Sequence, residues 1–170
     1  PRLDPELRWT TVLRLCAAGV LGADDIEAEL ARDASAAGQE SAARCRAALP
    51  DQAAKERAWQ QMFADGALSK PLLEATASGF WQPGQEPLTD GFVERYFADI
   101  PAGTGRGTIV ARALAHYLFP RYVVTSETVE LAERCLDQAD LAPDLRRPIA
   151  DQLDDLRRAV RIRARVAVSP

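Results

Sequence analysis

Few side chains in this sequence could carry bond-making chemistry, and their spacing works against each candidate site. The single histidine, His116 in ALAHYLF, cannot build a zinc site that needs two histidines one helical turn apart plus a carboxylate. It reads as a helix-surface or half-buried packing residue. Cys16, Cys45 and Cys135 are odd in number and lack C-x-x-C spacing, so they read as reduced core residues rather than a disulfide framework or zinc knot. Cys45 lies between Arg44 and Arg46, but successive helical residues point about 100° apart, which makes this a poor setting for an activated thiolate. Ser69, Ser78 and Ser126 fall at expected helix ends, where capping accounts for them. Gly103, Gly105 and Gly107 in PAGTGRGT resemble a phosphate loop, yet no strand precedes them and no Lys-Ser/Thr pair follows. Asp151, Asp154 and Asp155 suggest a metal or acid–base cluster. Arg157, Arg158 and Arg161 follow at helical spacing, so surface ion pairing is the stronger reading.

The elements that must position these residues are helices. Apolar residues recur at helical spacing nearly throughout, and no stretch sustains strand-like alternation. The first helix is expected from about Pro5 to Ala18, burying Leu7, Val12, Leu15 and Cys16 and ending at Gly19 or Gly22. Asp24 is the expected N-cap of a second, carrying Ile26 and Leu30, and Asp33 or Ser35 opens a third that stops at Pro50. Asp51 caps a fourth with Ala54, Trp59, Met62 and Phe63. Ser69 caps a fifth that starts with Pro71 and runs to Phe80. Pro83 and Gly84 then break the pattern before a sixth, which places Phe92, Tyr96 and Phe97 on one side. After the loose Pro101–Gly107 connection come a seventh helix through Leu114 and Tyr117 and an eighth capped by Ser126. The last starts near Pro143, and Pro148 is expected to kink or restart it.

Successive helix pairs start every 30 to 40 residues or so, the spacing of helical-repeat arrays. The expected fold is all-α: a single domain over residues 1–170, an irregular superhelix of antiparallel helix pairs of the HEAT or armadillo kind. A compact helical bundle is the alternative.

Composition bounds the rest. A chain of 170 residues with 47% hydrophobic residues can bury one substantial core. With 21 Lys plus Arg against 25 Asp plus Glu, a net charge of -4 gives no basic field to gather nucleic acid or anionic lipid. The arginine-rich RRAVRIRARV lacks the interleaved aromatics of a nucleic-acid site and reads as a solvated helix face. No apolar run approaches a membrane span, and no secretory leader opens the sequence. The cysteine usage predicts a cytoplasmic protein. The first residue is Pro1 rather than Met, which predicts a piece of a longer polypeptide.

The helix-loop-helix block KERAWQQMFADGALSKPLLEATASGFWQPGQ, from Lys55 to Gln85, is the most distinctive stretch. Before it come Asp4-Pro5-Glu6-Leu7-Arg8-Trp9, Leu13, Gly19, Leu30, Asp33, Gly38 and Leu49-Pro50. After it come Tyr96-Phe97, Phe119-Pro120, Leu145-Arg146-Arg147 and Asp154-Asp155-Leu156-Arg157-Arg158-Ala159. In this order the segments resemble the C-terminal helical domain of zinc aminopeptidases of the aminopeptidase N type, in the subgroup related to the endoplasmic-reticulum aminopeptidases. Lys70 departs from the Asn that the pattern would place after Leu68-Ser69.

That resemblance implies a helical superhelix closing over a thermolysin-like catalytic domain, with zinc and its ligands in a segment outside this chain. The implied partners are that catalytic domain and peptide substrates, with no nucleic acid or membrane. The implied role is a non-catalytic wall of the substrate chamber, inactive alone. Lys55, Trp59, Phe80 and Trp81 are the candidate chamber or substrate contacts, set against the packing role that aromatics at helical spacing usually have. An independent helical-repeat scaffold binding a protein or peptide on its concave face is the second reading, and a self-sufficient hydrolase built on the carboxylate cluster the third.

Overall fold

The computed structural model describes residues 4–63, 68–102 and 107–168, and these are all-helical, with no strand among them. Their helices are α1 (Pro5–Ala17), α2 (Ala23–Arg32), α3 (Ala36–Ala48), α4 (Gln52–Phe63), α5 (Lys70–Phe80), α6 (Glu86–Ala102), α7 (Thr108–Tyr117), α8 (Ser126–Asp137) and α9 (Pro143–Val168). The chain divides into two compact units, Pro1–Leu88 and Thr89–Pro170, with the boundary inside α6.

Small residues set the packing of the first unit. α3 contacts α1, α2, α4 and, most extensively, α5. Its buried face is Gly38, Ala42, Cys45, Ala47 and Ala48, so neighbouring backbones approach closely. The tightest approach is at Gly79 of α5, where a methyl group would overlap the backbone carbonyl of Arg44 on α3. Any residue larger than glycine there would drive the two helices apart. At the edge of the unit, α1 is tied to α2 and the α2–α3 turn by polar contacts. Arg8 Nε donates to the buried Glu29 carboxylate at 2.7 Å, and Trp9 Nε1 donates to Asp33 Oδ2 at 2.9 Å. The hydrogen bonds from Ser35 and Trp9 hold the Asp33 carboxyl below its ordinary range.

Larger side chains fill the second unit. Phe92, Tyr96, Phe97 and Phe119 are all buried. The rings of Tyr96, Phe97 and Phe119 meet edge to face at 4.9 to 5.9 Å between centroids. α9 packs on α7 and α8, and its stripe of Leu145, Ile149, Leu153 and Leu156 is buried at the 3.6-residue period. The Tyr96 hydroxyl, fully inside, donates to the Ala115 carbonyl at 3.1 Å, and burial pushes its pKa up.

Several local expectations shift by a residue or a face. Leu7 is not buried but 54% exposed; Trp9 takes the inward position of the first turns, because Asp33 satisfies its indole N–H. The N-cap of α2 is Gly22 rather than Asp24, and Asp25 reaches back to accept from the Gly22 N–H at 2.9 Å. The N-cap of α8 is Thr125 rather than Ser126; its hydroxyl accepts from Thr128 N. Ser78 caps nothing: it lies in the last turn of α5, donates to Ala75 O at 2.8 Å and accepts from Arg44 Nε at 3.0 Å. Pro148 does not restart α9, which is continuous through it. Pro148 lies within two turns of the helix start, and only one amide donor is lost there.

Candidate functional site

The four residues singled out from the sequence lie together in the first unit and face one another rather than solvent. Lys55, Trp59, Phe80 and Trp81 are 0, 2, 0 and 3% exposed. Lys55 and Trp59 sit on the buried stripe of α4 with Ala54, Ala58 and Met62, the spacing that turns one helical face inward. The Phe80 ring lies 5.4 Å from Trp59 and 5.0 Å from Trp81, and Phe63 stacks on Trp59 at 4.9 Å.

At the centre of this cluster is a cation. Lys55 Nζ donates to Ala47 O at 2.7 Å and to Phe80 O at 2.6 Å, and stands 5.2 Å from the Phe80 ring centre. Ala47 and Phe80 belong to the last turns of α3 and α5, where carbonyls lack intrahelical donors and the helix dipole is negative. One ammonium therefore serves two helix ends. Burial pulls the Lys55 pKa down to about 7, against the ordinary 10.5. Gln85 repeats the device: its side-chain amide donates to Ala17 O and to Ala48 O, both at 2.9 Å. The C-terminal ends of α1, α3 and α5 thus converge on two buried donors. Gln85 carries no sequence signal for this role, since the carbonyls it meets belong to residues 37 and 68 positions away.

Beside the cluster is a groove of about 690 Å³, floored by small and aliphatic residues of α2 to α5, among them Leu30, Ala43, Ala58 and Leu72. Gln39, Gln61, Arg46 and Arg57 also line it. Its volume falls within the range of about 300–1,000 Å³ typical of ligand sites. Arg46 donates to Glu27 Oε1 from both Nε and Nη2, whereas Arg57 meets Asp51 only at 3.9 Å and is largely exposed. Thr76 spends its hydroxyl on Leu72 O at 2.8 Å. Such a lining can hold an apolar side chain and offer amide and guanidinium groups to a polar backbone or an anion. It supplies neither a nucleophile nor a general base. Sequence reading missed this groove because alanine in a helix signals only propensity, and which alanines border an opening depends on how four helices meet.

The other candidates stay apart. His116 is exposed on α7 with its ring 4.7 Å from Tyr117. Arg157 and Arg158 pair with Asp154 and Asp155 at 3.4 and 3.5 Å, as helical spacing predicts, while Asp151 is met instead by Arg147 at 3.9 Å. Arg157 also reaches Glu133 of α8 at 2.7 Å. No group of three His, Cys, Asp or Glu stands ready for a metal ion among the described residues, so they do not fit a zinc site. Gly103 and Gly105 lie outside the described residues, and Gly107 holds φ at +92° just before α7. All three cysteines are buried and unbridged. Cys16 and Cys45, 29 residues apart in sequence, pack in one cluster with Trp9, Ile26 and Ala42.

Comparison with known proteins places this helical chain in a family. The family model described as ERAP1-like C-terminal domain matches residues 1–158. A Streptomyces lividans protein named Aminopeptidase N is 36% identical over 163 residues, covering 95% of this chain and 19% of that protein. The chain therefore spans about a fifth of the length of this curated relative.

Proposed function

The chain belongs to the ERAP1-like C-terminal domain family, and on that premise we propose that it is the non-catalytic C-terminal part of a zinc aminopeptidase of the aminopeptidase N type. In this reading the parent enzyme removes N-terminal residues from peptides, with zinc held by its catalytic domain. The helices of this chain stack in pairs against that domain and form part of the wall of the substrate chamber. With one histidine in its whole sequence, the chain cannot provide the paired histidines of such a site. The setting is cytoplasmic, a reading supported by three buried, unbridged cysteines.

The observation that carries the proposal is the likeness to a protein named Aminopeptidase N along nearly the whole chain. The groove adds a physical means. A wall acts by excluded volume and by contacts made with the part of a peptide distant from the scissile bond. The groove floor would accept an apolar side chain of that distal part, with Arg57 and the two glutamines at its rim for polar groups. Lys55, Trp59, Phe80 and Trp81 serve this role indirectly, by fixing the ends of α3 and α5 behind the groove.

The test compares a one-residue aminoacyl reporter with a series of peptides of increasing length, in the full-length parent enzyme and in its Ala43→Phe variant, whose added ring occupies the groove. Catalytic efficiency for the longer peptides is expected to fall relative to the reporter. An identical length profile in parent and variant rejects the groove as part of the wall. A parent gene without an H-E-x-x-H segment upstream rejects the aminopeptidase reading and favours an independent peptide-binding scaffold.

A further inference from the structure

The groove of the first unit has an unbalanced lining. Ten of the fifteen residues around it are alanine or leucine, none is aromatic, and no carboxylate lines it among the described residues. Leu30, Leu49, Leu68 and Leu72 are only partly buried, which leaves aliphatic surface open to an occupant. The polar groups are few and mostly engaged. Thr76 gives its hydroxyl to Leu72 O, and Arg46 holds Glu27 from two nitrogens. Arg57 differs: its guanidinium meets Asp51 only at 3.9 Å, and both side chains are more than half exposed. Asp51 Oδ2 also accepts from Ala54 N at 2.6 Å at the start of α4. An exposed pair at that separation contributes little, so Arg57 can exchange Asp51 for another anion at small cost. One available cation beside aliphatic walls suits a ligand with one anionic end and a hydrocarbon body. A peptide backbone would bring a donor and an acceptor with every residue, against only Gln39 and Gln61 to meet them.

We propose that this groove binds a medium-chain fatty acid, with the alkyl chain on the leucine and alanine walls and the carboxylate on Arg57. The volume, about 690 Å³, is that of a small-ligand site. Binding is non-covalent: the carboxylate takes the place of Asp51 at the guanidinium, and the alkyl chain displaces water from the walls. Each added methylene should tighten binding about fourfold until the walls are covered. The binding itself needs no catalytic domain. Its consequence for the enzyme rests on the aminopeptidase reading: an occupied groove is closed to the distal side chain of a long peptide, so the fatty acid regulates turnover according to peptide length.

The experiment needs no peptidase activity, so its failure leaves the aminopeptidase reading standing. Hexanoate, octanoate and decanoate are titrated into the 170-residue chain, with heats read by calorimetry and the site mapped by backbone amide shifts. Octanol and octylammonium serve as the neutral and cationic counterparts of octanoate. One site is expected, with amide shifts confined to α2–α5 and affinity rising with chain length. Octanol and octylammonium should bind about tenfold more weakly than octanoate, or worse. Arg57→Gln should bring octanoate down to the level of octanol and leave octanol unchanged, and Ala43→Phe should abolish both. Equal affinity for octylammonium, shifts outside α2–α5, or no heat with any of the three acids would overturn the proposal. Tighter binding of a short alanine peptide ending in leucine would also overturn it, by reassigning the groove to peptide ends. If Ala43→Phe does not fold, Arg57→Gln alters only an exposed side chain and still decides.

Discussion

The first and second units use the same secondary structure but hold it together differently. In the first, α3 and α5 approach so closely that glycine is required at Gly79, and buried polar side chains, Lys55 and Gln85, satisfy converging helix ends. In the second, interlocked aromatic rings and an aliphatic stripe on α9 fill the core, and the ion pairs Arg134–Glu130, Arg157–Glu133 and Arg158–Asp155 lie near the surface. Close packing of alanine faces leaves little apolar surface per residue to drive association, but it brings backbone carbonyls within reach of a shared donor. Packing of Phe, Tyr and Leu gains more apolar burial per residue, and there the end of α8 is met instead by Arg146, which donates to Leu136 O and Gln138 O at 2.6 and 2.7 Å. The arrangement in the first unit also leaves the groove, because small residues that permit contact on one side of a helix leave space on the other.

The strongest way to break this contrast is Trp59→Ala. Trp59 is the largest of the fully buried side chains in the cluster around Lys55; it stacks on Phe63 and meets Phe80 at a tilt of 59°. Its removal should cost about 3–5 kcal/mol through lost burial and an unfilled cavity, seen as a lower urea midpoint for the isolated chain. An unchanged midpoint together with altered peptide turnover in the full-length enzyme would mean that Trp59 meets substrate instead.

Lys55→Met keeps most of the volume but leaves the Ala47 and Phe80 carbonyls without their buried donor. A loss of about 2–3 kcal/mol is expected from the two unsatisfied groups. The pH dependence is more specific. With burial holding the folded pKa near 7 and the unfolded value at 10.5, both states are charged below pH 7 and Lys55 adds no slope there. Between those values the unfolded chain binds the extra proton, so stability rises with pH across that window. The neutral amine still has two N–H groups for the two carbonyls. Urea titrations from pH 6 to 10 should show this rise in the parent chain and its loss in Lys55→Met. Parallel curves for the two proteins would show that the helix-end carbonyls keep Lys55 charged throughout.

In the second unit the matching polar deletion is milder. Tyr96→Phe retains the ring and its edge-to-face contacts and removes one hydrogen bond to Ala115 O. About 1 kcal/mol is expected, measured by the same denaturation. A loss as large as that of Lys55→Met would erase the distinction between a unit locked by polar groups and one locked by rings.

How far the sequence speaks differs between these features. The helices are local objects: each amide bonds four residues back, and caps such as Asp4, Ser35, Asp51 and Thr125 sit beside the groups they satisfy. The all-α class, the inward aromatics of α6 and the buried stripe of α4 follow from periodicity; the one-residue error at Ser126 arises because adjacent polar residues compete for one cap, and the two-residue error at Asp24 because a glycine with no side chain to signal it holds the cap position. The ordered series of segments from Asp4 to Ala159 identifies the family in the same linear way. Tertiary structure alone decided that Lys55 would lie between the ends of α3 and α5 and that Gln85 would bridge α1 and α3. It also brought Cys16 to Cys45 and opened a groove along an alanine face. Each depends on where helices distant in sequence end and how near they come, and those distances are set by packing rather than by the local hydrogen bonds that a sequence pattern reports.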